Sequence, residues 1–337
     1  MAIAIIAIAI VSWTAIKPAY EKNGFNRQLA HTSLTLANVT NKEDGGITDI
    51  SGITPSHIYF STRIPGKLWV TDNNLENGHY ITIHIPGDPK TISAFTCIVD
   101  SPTIYILEGN TPAVITGQLV NNETKEYKFS RAAFTRAIAI TPYSYIVRGL
   151  DSTAPGDQIF IKHSVANGET KRANNLVERR HDLGISTDGF LNYDPCTHLA
   201  IYTSYYCNKF LCIDTSLNLV YTGHTIDTVA SYGLKAGITG HTLTNASPIT
   251  VINSSNCTYN GKLYNVSRLK ADNETAESFD DNSAIDIYDI KTGHYDGSIY
   301  VPSYKSEKIK SFKVGGNSLV VNYKNYIARY QLAPMTH

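Results

Sequence analysis

Neither sign of charge is in surplus. Lys and Arg number 29, Asp and Glu number 29, and together they make up only 17% of the chain. Nucleic-acid backbones are held by an excess of basic side chains, so nucleic acid is not an expected partner. The chain has no Gly-rich phosphate loop, no zinc-type Cys/His spacing, no Gly-x-Ser-x-Gly elbow and no sustained heptad. The nucleotide, zinc, serine-esterase and coiled-coil readings that such motifs would support are therefore set aside. Cysteine is sparse and odd in number, so the five cannot pair completely. Cys207 and Cys212 flank a hairpin turn expected at Asn208-Lys209 and would be diagonal neighbours there, which leaves a disulfide open. The expectation adopted for Cys97, Cys196, Cys207, Cys212 and Cys257 is that all five are small buried hydrophobes.

Tyrosine is abundant, at 22 residues, alongside much Ile, Thr and Asn. That mixture suits half-buried strands joined by polar turns. Only residues 2–16, AIAIIAIAIVSWTAI, form a long apolar run. It is short for a spanning helix and fits the hydrophobic region of an export signal or a minimal anchor. Lys17, Lys22 and Arg27 follow it, against the usual charge bias for an exported domain. The expected organisation is a signal or anchor at 1–16, a tether at 17–31, the folded body at 32–332 and a tail at 333–337. The body is expected to be exported and periplasmic, held to the inner membrane only through 1–16.

The C-terminal stretch 309–332 organises the rest. It reads as three strands, 309–314, 318–323 and 326–332, separated by Gly-Gly-Asn and Lys-Asn breaks. A meander that stops there leaves an open edge. The same pattern recurs upstream with a fourth run each time. Calling the runs a to d, the starts of run b fall at 57, 103, 143, 198, 262 and 318, a spacing typical of four-stranded blades. The fifth repeat is expected to have run a at 249–253, and 223–248 fits no run. Run d is missing from the sixth repeat, while residues 32–39 alternate like a strand without a hairpin partner. Placing that strand on the open edge closes a ring.

The four-run repeat, the Asp-x-x-Thr-Gly turn at Asp289-Ile290-Lys291-Thr292-Gly293 and the surplus N-terminal strand resemble a six-bladed β-propeller. More narrowly they resemble the exported TolB-like and NHL-like propellers of Bacteroidetes. The expected fold is thus all-β, six blades of four antiparallel strands closed by an N-terminal strand. The absence of a Trp-Asp repeat sets it apart from the WD40 class.

Propeller sites gather at the mouth of the central channel, near the start of run a. The polar residues expected there are Asp49, Ser51, Asp100, Arg136, Ser186, Asp188 and Asn253. Carboxylates converging on the axis, with Asp49 and Asp188 foremost, could hold a divalent cation such as calcium; alternatively they solvate a polar channel and no cofactor is bound. The resemblance to six-bladed lactonases implies a Glu, Asn and Asp set around calcium, and Asp49 stands where a Glu would be expected. His181, beside Asp182 in the cluster Glu178–Asp182, could act as a base or sit on a solvated loop. The acidic insertion 271–282 is expected to be an exposed loop. Two classes remain: a non-catalytic binding or scaffold module, and a metal-dependent hydrolase. The first is favoured, as a monomer that meets a protein or small-molecule partner on the face bearing the long b–c loops 150–157 and 271–282.

Overall fold

The computed structural model describes residues 22–334, apart from 43–45, 122, 130–132, 232–235, 240–241 and 246–249. The apolar run at 2–16 and most of the tail lie outside the described residues.

Six four-stranded antiparallel sheets form the body, and we name their strands a to d from the channel outward. Blade 1 comprises Asp49–Ile53, His57–Ser61, Lys67–Asp72 and His79–Thr82. Blade 2 comprises Phe95–Asp100, Thr103–Glu108, Ala113–Gln118 and Thr124–Lys128. Blade 3 comprises Phe134–Thr141, Ser144–Leu150, Gln158–Ser164 and Thr170–Ala173. Blade 4 comprises Gly189–Asp194, Leu199–Ser204, Lys209–Asp214 and Leu219–His224. Blade 5 comprises Asn253–Tyr259, Lys262–Ser267, Asn282–Asp289 and Tyr295–Pro302. Blade 6 comprises Ser311–Gly315, Ser318–Asn322 and Tyr326–Pro334, and its strand d is Thr32–Asn41.

The strand sequences follow from this geometry. Strands b and c are covered on both faces by neighbouring blades and therefore read as continuous apolar runs, as in Thr103–Glu108, where every residue is buried. Strand d lies at the rim and reads as polar, as in Thr124–Lys128. Six clusters of buried side chains fill the six seams. One joins blades 5 and 6 through Ile285, Val301, Phe312 and Val321, and another joins blades 6 and 1 through Val320, Ile327, Ile50 and Phe60. Blades 1–2, 2–3, 3–4 and 4–5 share the other four. A core divided into one cluster per seam is that of a closed ring.

Closure is as expected. Thr32–Asn41 pairs antiparallel with Tyr326–Pro334, from Thr32 opposite Pro334 to Asn41 opposite Tyr326, with a bulge between Leu36 and Asn38. The tether reading fails for residues 22–31, which are packed against blade 5. Asp272 accepts hydrogen bonds from the Asn23 and Gly24 amides, and Ala30 N donates to Ser298 O at 2.9 Å. Arg27, only 4% exposed, donates to Asp286 at 2.8 Å and to Glu274 at 2.9 Å. These carboxylates sit in the blade 5 insertion and its strand c, so the acidic insertion is partly structural. Its exposed portion includes the short helix α1, Ala276–Asp281.

Strand a of blade 5 lies at Asn253–Tyr259 rather than 249–253. Its sequence, NSSNCTY, lacks an apolar alternation because one side faces the channel and the other needs only small residues against blade 6. The unassigned stretch 223–248 contains a hairpin, Ala236–Thr239 with Thr242–Asn245. All five cysteines are free, so the Cys207–Cys212 disulfide does not form. Four are buried as expected, and Cys196 is exposed. Burial pushes the Cys97 and Cys257 thiols up to about 12.

Neighbouring blades come close enough at Gly52 to exclude any side chain. A Cβ on Gly52 would stand 2.3 Å from Val99 O and 2.9 Å from Val99 Cβ. Gly52→Ala should therefore push blades 1 and 2 apart and lower stability by about 1–3 kcal/mol. Urea unfolding measures this, and an unchanged midpoint would show that the seam is looser than described.

Candidate functional site: the central channel and its loop-rich mouth

Strands a of all six blades line a central cavity of about 910 Å³. Its two ends differ because the connections differ. At one end lie the a–b and c–d connections, which are tight: Ser101-Pro102 and Asn260-Gly261 are a–b turns. At this turn end Asp residues are consumed by local structure. Asp72 accepts from the Asn74 and Glu76 amides, Asp214 from Ser216 and Asn218, and Asp289 from Lys291 and Thr292. Lys262, with these turn hydrogen bonds, holds the Asp289 carboxyl down at about 2.

The opposite end carries the b–c and d–a connections, and the longest segments of the chain between strands are here. The d–a connection of blade 4 spans residues 225–252, that of blade 3 spans 174–188, and the b–c connection of blade 5 spans 268–281. Strand a starts at this end, so residues just before it stand at the channel mouth.

Three inner strands carry a bulge near that mouth. The register shifts between Ile50 and Gly52 in blade 1, Phe134 and Arg136 in blade 3, and Asn253 and Ser255 in blade 5. A bulged residue leaves the ladder and frees its backbone groups. Two such carbonyls accept from cations: Thr135 O from Arg136 Nη1 at 2.7 Å, and Ser51 O from Lys313 Nζ at 3.3 Å.

Asp188 is at the mouth, in front of strand a of blade 4, and both of its oxygens are engaged. Oδ2 accepts from Arg136 Nη2 at 2.8 Å, and Oδ1 accepts from Arg148 Nη1 at 3.1 Å and from the Gly189 amide. Arg148 is fully buried and also donates to Thr187 Oγ1 and Gly184 O, with its guanidinium 4.9 Å from the Tyr202 ring centroid. Arg136 is further held by Gly189 O and the Tyr205 hydroxyl. Burial opposes its charge, but Asp188 and Tyr205 more than offset this, and its pKa is raised. A divalent cation at Asp188 would face two guanidiniums, so this carboxylate does not fit a calcium site.

Asp49 is also at the mouth, exposed, and accepts its neighbouring Ile50 amide at 2.7 Å. No bond joins it to Asp188. Asp100 ends strand a of blade 2 and so lies at the turn end. Ser186 is buried under the mouth, and Asn253 bridges the Ser204 carbonyl and the Asn265 amide. His181 is an exposed member of the 174–188 connection, at φ +55°. Its partner is Asp157, with Nδ1 at 3.4 Å from Oδ2. Asp182, its neighbour in sequence, is buried and caps the Gly184 and Ser186 amides instead. The expected His–Asp neighbour pair is therefore not a working pair. The b–c loop of blade 3 is tucked in, with Ala154 and Asp157 buried and Asp151 bonded to Arg172 at 2.9 Å.

Arg148 and Lys313 were not singled out in the sequence reading. Arg148 interrupts the apolar run SYIVRGL, and a charge there is a signal that it needs a buried partner. Lys313 alternates with Phe312 and Val314 in SFKVG, which puts it on the face opposite the core.

No protein-family model matches the chain, and no curated protein matches it in sequence. Solved structures do match in shape. A member of the DUF4221 family from Bacteroides vulgatus superposes with a TM-score of 0.53 at 11% identity, covering 93% of this chain and 100% of that one. Virginiamycin B lyase from Staphylococcus aureus gives 0.51 at 10% identity, over 89% and 99%. The Pan2 WD40 domain of Neurospora crassa gives 0.51 at 8% identity, over 91% and 97%. At these identities the likeness concerns the fold alone, and with six four-stranded blades around one channel the chain is a six-bladed β-propeller.

Proposed function

We propose that the chain is an exported propeller that binds a protein or small-molecule partner on its loop-rich face and carries out no chemistry on it. The observation that carries this reading is the asymmetry of the two ends. One end has tight turns in which Asp72, Asp214 and Asp289 are tied up locally, while the other carries the long connections 174–188, 225–252 and 268–281. Long loops on a rigid scaffold are the usual place for recognition. The aromatic rim supports it, with Phe190 and Tyr205 packed edge to face at 4.5 Å beside Arg136. The apolar run at 2–16 supports export, with the anchor on the membrane and the propeller outside the cytoplasm.

The alternative, a metal-dependent hydrolase, requires several carboxylates at the mouth free to take an ion, whereas Asp188 is committed to two arginines and Asp49 stands without a second carboxylate bonded beside it. Replacing residues 230–249 of the blade 4 connection with a short Gly-Ser linker should leave a cooperatively melting protein and abolish partner binding. In parallel, calcium or a chelator should leave the melting temperature of the intact protein unchanged, because mass action raises it only when an ion binds the folded state. Partner binding that survives the replacement, together with a calcium-dependent rise in melting temperature, would favour the hydrolase.

A further inference from the structure

Lys310 and Lys313 both line the channel, one just before strand a of blade 6 and the other within it. Their ammonium groups meet backbone carbonyls only. Lys313 Nζ donates to Ser51 O at 3.3 Å, and Lys310 Nζ donates to Thr48 O at 3.3 Å. No carboxylate among the described residues is ion-paired with either. Arg27 is matched by Glu274 and Asp286, and Arg148 and Arg136 by Asp188, whereas half-buried Lys42, outside the channel lining, meets only the Tyr323 and Lys324 carbonyls. Lys313 is half-buried and lacks that compensation.

A polar pair on strands a of blades 4 and 5 borders the same cavity. The Asn256 side chain accepts from Asn192 Nδ2 at 2.6 Å, and its own Nδ2 is buried without a partner. The two carboxylates of the channel do not supply the missing counter-charge. Asp49 is exposed at the mouth and turned to the Ile50 amide, and Asp100 is at the far end. A half-buried ammonium without a counter-charge, with a second ammonium at the entrance of the same cavity, favours an acceptor of negative charge. The volume, about 910 Å³, is that of a small-molecule pocket.

We propose that the channel is a binding site for a small organic anion, whose carboxylate or phosphate group is held by Lys313, with Lys310 at the entrance. The site rests on the inner strands and stands apart from the loop-face reading above.

Titration calorimetry of the full chain tests it, with succinate and glycerol 3-phosphate as probes for the two head groups. At least one should bind saturably at one site, and the probe that binds identifies the head group. Lys313→Met should weaken that binding by about tenfold or more, the size expected for loss of one charge-assisted contact. Lys313→Arg keeps the charge and should retain most of the affinity, which separates loss of charge from loss of fold. Lys324→Met, on the b–c turn of blade 6, should bind as the native chain does. No saturable binding of either probe, or equal affinity in the native chain and a folded Lys313→Met variant, would overturn the proposal. So would failure of Lys313→Met to fold combined with undiminished binding by Lys310→Met and loss of binding in Lys313→Arg.

Discussion

A chain lacking residues 1–41 should show no cooperative unfolding transition and should aggregate at micromolar concentration. The deletion removes strand d of blade 6, whose pairing runs the length of Tyr326–Pro334. It leaves that strand as a long open edge of the kind that templates association. Partly buried residues of the lost strand, Leu34 and Val39, also pack against the cluster joining blades 5 and 6. Arg27 goes with the strand, so Glu274 and Asp286 lose their partner. Supplying a peptide of residues 22–41 should restore solubility and a cooperative melt, since adding a strand to a vacant edge regains both the ladder and the packing. A truncated chain that melts like the native protein would mean that the ring is held by its five covalently complete blades alone.

The second large effect is expected at Arg27. Its side chain is inaccessible to solvent, as are nearly all of Glu274 and Asp286. Pairing by the two carboxylates outweighs burial and keeps the guanidinium charged. Burial pushes the Asp286 carboxyl up, while Arg27 and Ser298 pull it back. Arg27→Met removes that pull and leaves two carboxylates without a cation, which should cost about 3–5 kcal/mol at neutral pH. The pH dependence follows from the sign of the shift. In the variant the buried Asp286 carboxyl stands further above its unfolded value, so the unfolded state releases that proton first. Stability is then retained below the unfolded pKa, near 4, and is lost as pH rises through the folded pKa. The deficit should accordingly be smaller at pH 5 than at pH 8, and adding Glu274→Gln and Asp286→Asn should recover part of it. Urea unfolding at the two pH values measures this; an equal deficit at both would show that packing, rather than charge, is what Arg27 supplies.

The ring was legible because each blade repeats one physical problem. Strands b and c need apolar residues on both faces and strand d needs few, so TIYILE and TKEYK announce their positions before any contact is known. Closure could be read from a strand in excess at one end and a strand missing at the other. Strand a of blade 5 was not legible, because NSSNCTY faces a channel and small neighbours rather than a core. Residues 22–31 were read as a tether because nothing local marks them. Their structure comes from Asp272, Asn273, Glu274 and Asp286, all more than 240 residues away in sequence.

The site was legible in part for the same reason. Strand starts predicted that Asp49 and Asp188 would lie at the end where strand a begins; Asp49 lines the channel, and Asp188 precedes strand a of blade 4. The partners that decide their chemistry could not be read. Arg136 and Arg148 come to Asp188 from blade 3, and only folding brings them there. His181 illustrates the limit from the other side: its sequence neighbour Asp182 turns inward to cap backbone amides, and Asp157 takes its place.

The claim that partners bind at the loop-rich face is tested most directly by photo-crosslinking in cells that express the chain. A photoreactive residue would be placed singly at Glu277, Lys305 and Arg179 on the loop-rich end, and at Asn260, Asn317 and Lys291 on the turn end. The account predicts discrete adducts of one mass from the loop-rich positions and none from the turn end. Adducts of one mass from the turn-end positions alone would contradict it.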